Sequence, residues 1–351
     1  MDHDGERVEE HRVIRVAPQD SPVADLMDLE AWEARGDYPE LRARGPLFAV
    51  GRLRDDGQHG DGQHGDGQRD DALWEIVLLE EGNPQAARDA LLWRLKTQGR
   101  ETEDPAARAA YLAASKRLEW EALDELTVLG DAYRVIRGDL LVRFGPDGPE
   151  PPRPTDPDGQ DPRAPHRAEG FVIDPARATG MSEAVLRAEL LDFAYSREVV
   201  PEDVYADSVR ARTTHPGVVL LPAGFAVAER QAGREWEPMS GVCATPQAAR
   251  DGLSDYLRDL APRLLDLTGA EQAAYAREAD RLGATRDHQA QVAGRHFRVV
   301  RVESIVRVGP DGPELPRPSD WVPYPPSAVQ DQQLRAEAEA EAEEGEDKDS
   351  G

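Results

Sequence analysis

The chain has 351 residues but a single cysteine, Cys243, and no apolar run of the length a membrane span needs. One thiol excludes an intrachain disulfide framework and a cysteine-based zinc cluster. The apolar runs fall far short of the roughly 18 residues that argue for a transmembrane helix. A basic stretch is also lacking: 42 lysines and arginines face 69 acids, for a formal charge of −27. Proteins gain most of their affinity for nucleic acid by neutralising phosphates with Lys and Arg. Binding to nucleic acid or to a membrane surface is therefore not expected. Net acidity of this size favours solubility and would suit a basic protein or peptide partner. The opening "MDHDGERVEE" carries acids where an export signal carries bases and then apolar residues, so the expected compartment is the cytoplasm. Familiar catalytic signatures are missing too: no G-x-S-x-G, G-x-x-x-x-G-K, G-x-G-x-x-G or H-E-x-x-H occurs. No cofactor is expected, and no catalytic residue can be named.

What the chain does have is self-similarity. "YRVIRGDLLVRFGPDGPEPPRPTD" (Tyr133–Asp156) aligns without gaps to "FRVVRVESIVRVGPDGPELPRPSD" (Phe297–Asp320) at an offset of 164, with 15 of 24 positions identical. "NPQAARDALLWRL" from Asn83 matches "TPQAARDGLSDYL" from Thr245 at an offset of 162, and Trp74-Glu75 matches Trp236-Glu237 at the same offset. Earlier, "FAVGR" from Phe48 matches "FAVAE" from Phe225 at an offset of 177. Four collinear matches indicate an internal duplication. The change from 177 to 162 marks 15 extra residues in the first copy, the length of the three pentads "DGQHGDGQHGDGQRD" at 56–70.

The copies share one order of elements. An amphipathic helix ("PVADLMDLEAWEAR"; "PEDVYADSVRAR") precedes a strand ending in "FAV", and a hairpin returns through the Trp-Glu strand. A helix then opens with Asn83 or Thr245 as N-cap and proline at its first position. In the second copy the next helix opens on "TGAE", where Thr268 and Glu271 fit a capping box. Two more strands, a Pro-Asp-Gly turn and an extended proline-rich strap close the unit. The expected fold is α+β: two tandem modules of form α-ββ-αα-ββ, each a small antiparallel sheet packed with helices, related by a pseudo-twofold axis. The expected division is an N-terminal segment at 1–20 with a short strand, a first module at 21–156 and a linker with a bridging helix at 157–198. A second module follows at 199–325, then an acidic, disordered or frayed tail at 326–351.

The twin "PQAARD" helix starts, the twin "GPDGPE" exits with their "PRP" straps, and "THPGVVLLPAGFAVAER" (Thr214–Arg230) carry a resemblance. Over nearly all of residues 20–325 the chain resembles an actinobacterial, streptomycete-type family that carries a duplicated domain of unknown function. The resemblance implies a bacterial cytoplasmic protein and assigns no activity, cofactor or catalytic residue.

Candidate chemistry reduces to three groups. His59 and His64, with Asp61 and Asp66, have metal-ligand character. A pentad expansion in an exposed hairpin tip explains them without a site, and no metal is expected there. The arginines recur: Arg134 and Arg298, Arg137 and Arg301, Arg143 and Arg307, Arg153 and Arg317. A guanidinium fork in each copy could bind a carboxylate or phosphate; the plainer reading pairs them internally, for example with Asp89 and Asp251. Trp74 and Trp236 complete the set, as hairpin-packing aromatics or as a binding platform. The leading expectation is a non-enzymatic binding or interaction protein. The alternative is a small-molecule or anion binder, or an enzyme, with a pocket between the modules.

Overall fold

Short polar residues ahead of prolines set the helix starts. In the computed structural model, described over residues 11–18, 20–54, 73–159 and 168–349, Ser21 caps α1 (Pro22–Asp37) by accepting from the Ala24 N–H at 3.2 Å. After β1 (Glu40–Leu53) and β2 (Trp74–Glu81), Asn83 caps α2 (Pro84–Glu101) through the Ala86 N–H at 3.0 Å. Asp104 then caps α3 (Pro105–Trp120). Next come β3 (Glu125–Val128), β4 (Asp131–Gly145), β5 (Gly148–Pro149), β6 (Val172–Ile173), α4 (Met181–Leu191) and α5 (Glu202–Thr214). Beyond β7 (Gly217–Gln231) and β8 (Trp236–Pro238), Thr245 caps α6 (Pro246–Asp255) through the Ala248 N–H at 3.1 Å. A π turn (Tyr256–Leu260) and the short α7 (Ala261–Leu264) lead to α8 (Gly269–Thr285). There Glu271 accepts from the Thr268 N–H at 2.8 Å, completing the expected capping box. Finally come β9 (Gln289–Val292), β10 (Arg295–Gly309), β11 (Gly312–Pro313) and α9 (Ser327–Asp349).

The chain is thus mixed α and β around a curled antiparallel sheet. Its contacts divide it into two units, Met1–Gly45 with Gly138–Glu314, and Pro46–Arg137 with Leu315–Gly351. In the second of these, β1 pairs with β2 from Leu47↔Glu81 to Leu53↔Trp74, and β3 pairs with β4 from Glu125↔Arg134 to Val128↔Asp131. Helices α2 and α3 lie on this sheet. Phe48, Val50, Leu91, Leu95, Leu118, Tyr133 and Val135 make its core. In the first unit β10 is central, pairing along its length with β7 and at Glu303–Val306 with β4. Phe225, Val227, Leu253, Leu257, Leu282, Phe297 and Val299 form one core there, and Leu141, Leu186, Leu190, Val218 and Ile305 form another.

Several expectations are refined. The strand expected to end at "FAV" runs on to Leu53. The bridging helix stops at Leu191, where the Arg307 guanidinium donates to the last helical carbonyls, Leu190 O at 3.1 Å and Leu191 O at 3.3 Å. The Glu-Ala tail is helical over Ser327–Asp349, in keeping with the strong helix propensity of both residues. Ala249, Leu253, Tyr256, Leu257 and Leu260 follow α-helical spacing in the sequence, but the Ala261 N–H bonds to the Tyr256 carbonyl, a π turn that absorbs an inserted residue. The inserted residue accounts for one of the two by which the offset steps from 162 to 164 after this helix.

Two glycines show why the strand exits are spelled as they are. A Cβ on Gly145 would run into the carbonyl oxygen of Asp37, at the end of α1, and one on Gly309 into that of Thr214, at the end of α5. Each strand therefore ends against a helix C-terminus where no side chain fits.

Candidate functional site

Pro222 lies within β7, and a proline cannot donate to a sheet ladder. The β10–β7 register shifts at this point, between Val302 and Ser304, so Glu303 falls outside the regular pairing. The irregularity opens one wall of a cavity of about 400 Å³ within the first unit. Leu220, Leu221, Pro222 and Ala223 of β7 form the apolar side with Leu186 of α4 and Phe171. Five arginines, Arg35, Arg143, Arg153, Arg177 and Arg301, and four acids, Asp28, Asp156, Glu183 and Glu303, complete the lining.

The strap that follows β5 positions most of these charges. Asp156 turns the strap on itself by accepting the Arg153 N–H at 2.8 Å, and its carboxylate faces Arg301 Nε at 3.3 Å. Arg301 also pairs with Glu303, and its backbone N–H donates to the Glu150 carbonyl at 2.9 Å. Arg153 Nε donates to Glu150 at 2.7 Å, and its Nη2 lies 3.5 Å from Glu303. Burial, and next the Arg153 charge, pull the Arg301 pKa below the ordinary guanidinium value. Two arginines are here held by three carboxylates.

Arg143 differs. Only 3% of it is exposed, and among the described residues its side chain makes no hydrogen bond. Its one ion-pair partner is Glu189 Oε2 at 3.6 Å, and Glu189 already accepts from Arg35 Nε at 2.8 Å. Burial pulls the Arg143 pKa down, with Glu150 and Glu189 acting in the opposite direction.

The remaining candidates are engaged elsewhere. In the second unit Arg137 Nε meets both Asp320 oxygens, at 3.0 and 3.1 Å, with both side chains buried. Arg134 stacks over the Trp74 ring at 5.0 Å and donates to Glu125. In the first unit Arg298 stacks over Trp236 at 5.1 Å and donates to the Pro149 carbonyl at 3.0 Å. Arg307 caps α4. The structure therefore brings Arg143 and Arg301 together at the cavity and places Arg134, Arg137, Arg298, Arg307, Trp74 and Trp236 outside its lining. His59 and His64 lie outside the described residues; among those described, no cluster of His, Cys, Asp and Glu could hold a metal ion.

Asp89 and Asp251, suggested partners for the strand arginines, serve the "PQAARD" motif instead. Gln85 donates to Asp89 at 3.0 Å and accepts from Arg88 at 3.2 Å. Gln247 does the same with Asp251 at 2.7 Å and Arg250 at 2.7 Å. Sequence reasoning missed Glu189, Glu303 and Arg35 as site residues. Glu150 and Asp156 could have been found, since they recur as Glu314 and Asp320 in the second strap.

The family model described as "Family of unknown function (DUF5954)" matches residues 21–323, most of the chain, and the chain belongs to that family. No curated protein and no solved structure matches it. Among the described residues no helix is long and apolar enough to cross a membrane.

Proposed function

We propose, for this member of a family without an assigned activity, a non-enzymatic binding protein whose ligand is a small molecule held in the cavity beside Arg143. The observation that carries this reading is the cavity's makeup. A volume of about 400 Å³ falls within the range of small-molecule sites, which pair an apolar wall with a few placed polar groups. The wall here is Leu186 and Leu220–Ala223, and the placed group is a buried guanidinium whose side chain makes no hydrogen bond among the described residues.

The site fits a duplicated chain. We read residues 21–156 and 199–325 as two copies of one module, with 157–198 joining them. The support is that core residues occur at matching positions: Phe48 and Phe225, Leu91 and Leu253, Leu118 and Leu282, Val135 and Val299. The straps are also used reciprocally: Asp156 of the first copy faces Arg301 of the second, and Asp320 of the second faces Arg137 of the first. An exchange of this kind is what a pseudo-twofold relation would produce. The cavity lining draws on both copies and on the linker, as a site that arose after duplication would. A bacterial cytoplasmic setting suits a chain with one cysteine.

The test is a thermal-shift screen of small organic acids, amides, alcohols, sugars and nucleosides against the full chain and an Ala31→Trp variant. Ala31 is half-buried on α1 and lines the cavity. A shift seen in the parent and lost in the variant supports the reading. No shift from any class at millimolar concentration rejects it. A second reading, an acidic docking protein for a basic partner, is favoured by the charge of −27. It requires a salt-sensitive complex that Ala31→Trp leaves intact.

A further inference from the structure

Resting on the cavity reading above, we infer that the ligand is a monocarboxylate with an apolar body, its head group taken by Arg143. Of the five arginines in the lining, Arg153 and Arg301 are matched by Glu150, Asp156 and Glu303. Arg177 pairs with Glu183 at 3.2 Å, and Arg35 with Glu189. Arg143 is left to share Glu189 at 3.6 Å, beyond hydrogen-bond reach, although it is almost wholly removed from water. A guanidinium in that position gains most from a planar acceptor that takes two parallel N–H bonds, which is the geometry of a carboxylate.

The surroundings select the charge. Asp28, Asp156, Glu183 and Glu303 share the lining and would repel a dianion such as phosphate. Within this lining Arg35 and Arg143 share one glutamate, Glu189, whereas Arg153 and Arg301 are held by three carboxylates, so the positive end of the site is confined to the Arg35–Arg143 side and has room for one negative charge. The rest of the ligand meets Leu186, Leu220, Leu221, Pro222, Ala223 and Phe171, so an aliphatic or aryl body fits where a sugar would leave its hydroxyls unpaired.

Glu189 then acts as the resident stand-in for the ligand's head group. It is half-exposed on α4, and its removal should strengthen binding. The test is calorimetric titration of the full chain with octanoate, phenylacetate, octanamide and inorganic phosphate, repeated on Arg143→Met, Glu189→Gln and Ala31→Trp. A carboxylate should bind at least tenfold tighter than octanamide, and phosphate should not bind. That advantage should vanish in Arg143→Met and grow severalfold in Glu189→Gln, while Ala31→Trp abolishes binding. Should Arg143→Met fail to fold, Glu189→Gln decides alone, since an unchanged or weakened carboxylate affinity there overturns the inference. Equal binding of octanoate and octanamide, lost in Ala31→Trp, overturns the carboxylate assignment and leaves the cavity reading standing. Binding of phosphate in preference to both carboxylates overturns the assignment as well. Binding of none of the probes, in a chain that shows no hit in the thermal screen, overturns both.

Discussion

The two "PQAARD" helices start alike and end in different chemistry. In α2 of the second unit, Arg88 donates to Asp124 at 2.9 and 2.7 Å. In α6 of the first unit, Arg250 meets the imidazole of His288 at 3.2 Å and finds its carboxylate in Asp158 at 2.6 Å. The Gln-Arg-Asp network inside each helix is the same. The motif fixes what is local to a helical turn and leaves the distant partner free to change. The straps repeat the lesson. Arg137 and Asp320 form one buried pair, whereas Arg301 shares its charge with Asp156 and Glu303 on a cavity wall. One setting is a lock, and its counterpart has been opened to space.

The largest effect should come from the lock. Asp320→Ala removes one member of a buried ion pair in which the Arg137 side chain is 2% exposed, and should cost about 3–5 kcal/mol in urea unfolding. Asp156→Ala leaves Arg301 its Glu303 partner, so the expected cost is about 1–2 kcal/mol. Equal losses would erase the distinction between the two straps. The N-caps should behave as twins: Asn83→Ala and Thr245→Ala are each expected to cost about 1 kcal/mol.

A smaller effect separates the helices by pH. Burial, and next the Arg250 charge, hold the His288 pKa below its ordinary value, against the opposing pull of Asp158, Asp287 and Asp156. Neutral His288 accepts from Arg250, which a protonated ring cannot do. With a folded pKa below the unfolded value of about 6.5, that contribution is fully present above pH 6.5. It is lost as pH falls through the folded value. The stability difference between the parent and His288→Asn should therefore shrink between pH 7.5 and 5, and a constant difference would remove the pH contrast. Least of all, deleting residues 56–70 should shift stability by under about 1 kcal/mol, since loop closure depends only weakly on length.

Much of the fold was legible because its signals are local. Asn83, Thr245 and the Thr268–Glu271 box act within one helical turn, and the Pro-Asp-Gly turns act within four residues. The strand arginines were visible as a repeated set, but their partners were not. Arg137 and Asp320 lie 183 positions apart, and nothing in either neighbourhood points to the other. The cavity was hidden for a related reason: it depends on a register shift at Pro222 and on α4 packing, both set by the tertiary fold. The π turn contributes one residue to a two-residue change of offset, which spacing alone does not assign to a helix.

Gly145 and Gly309 were described as places where a strand meets a helix carbonyl. Their consequence is evolutionary: each is a point at which drift is barred by volume, whatever the ligand. In a scan of every single substitution, the two should stand out as a matched pair of positions, 164 apart, at which no side chain is accepted. The chain would then carry a ruler of its own ancestry that survives even where the two sites have parted in chemistry.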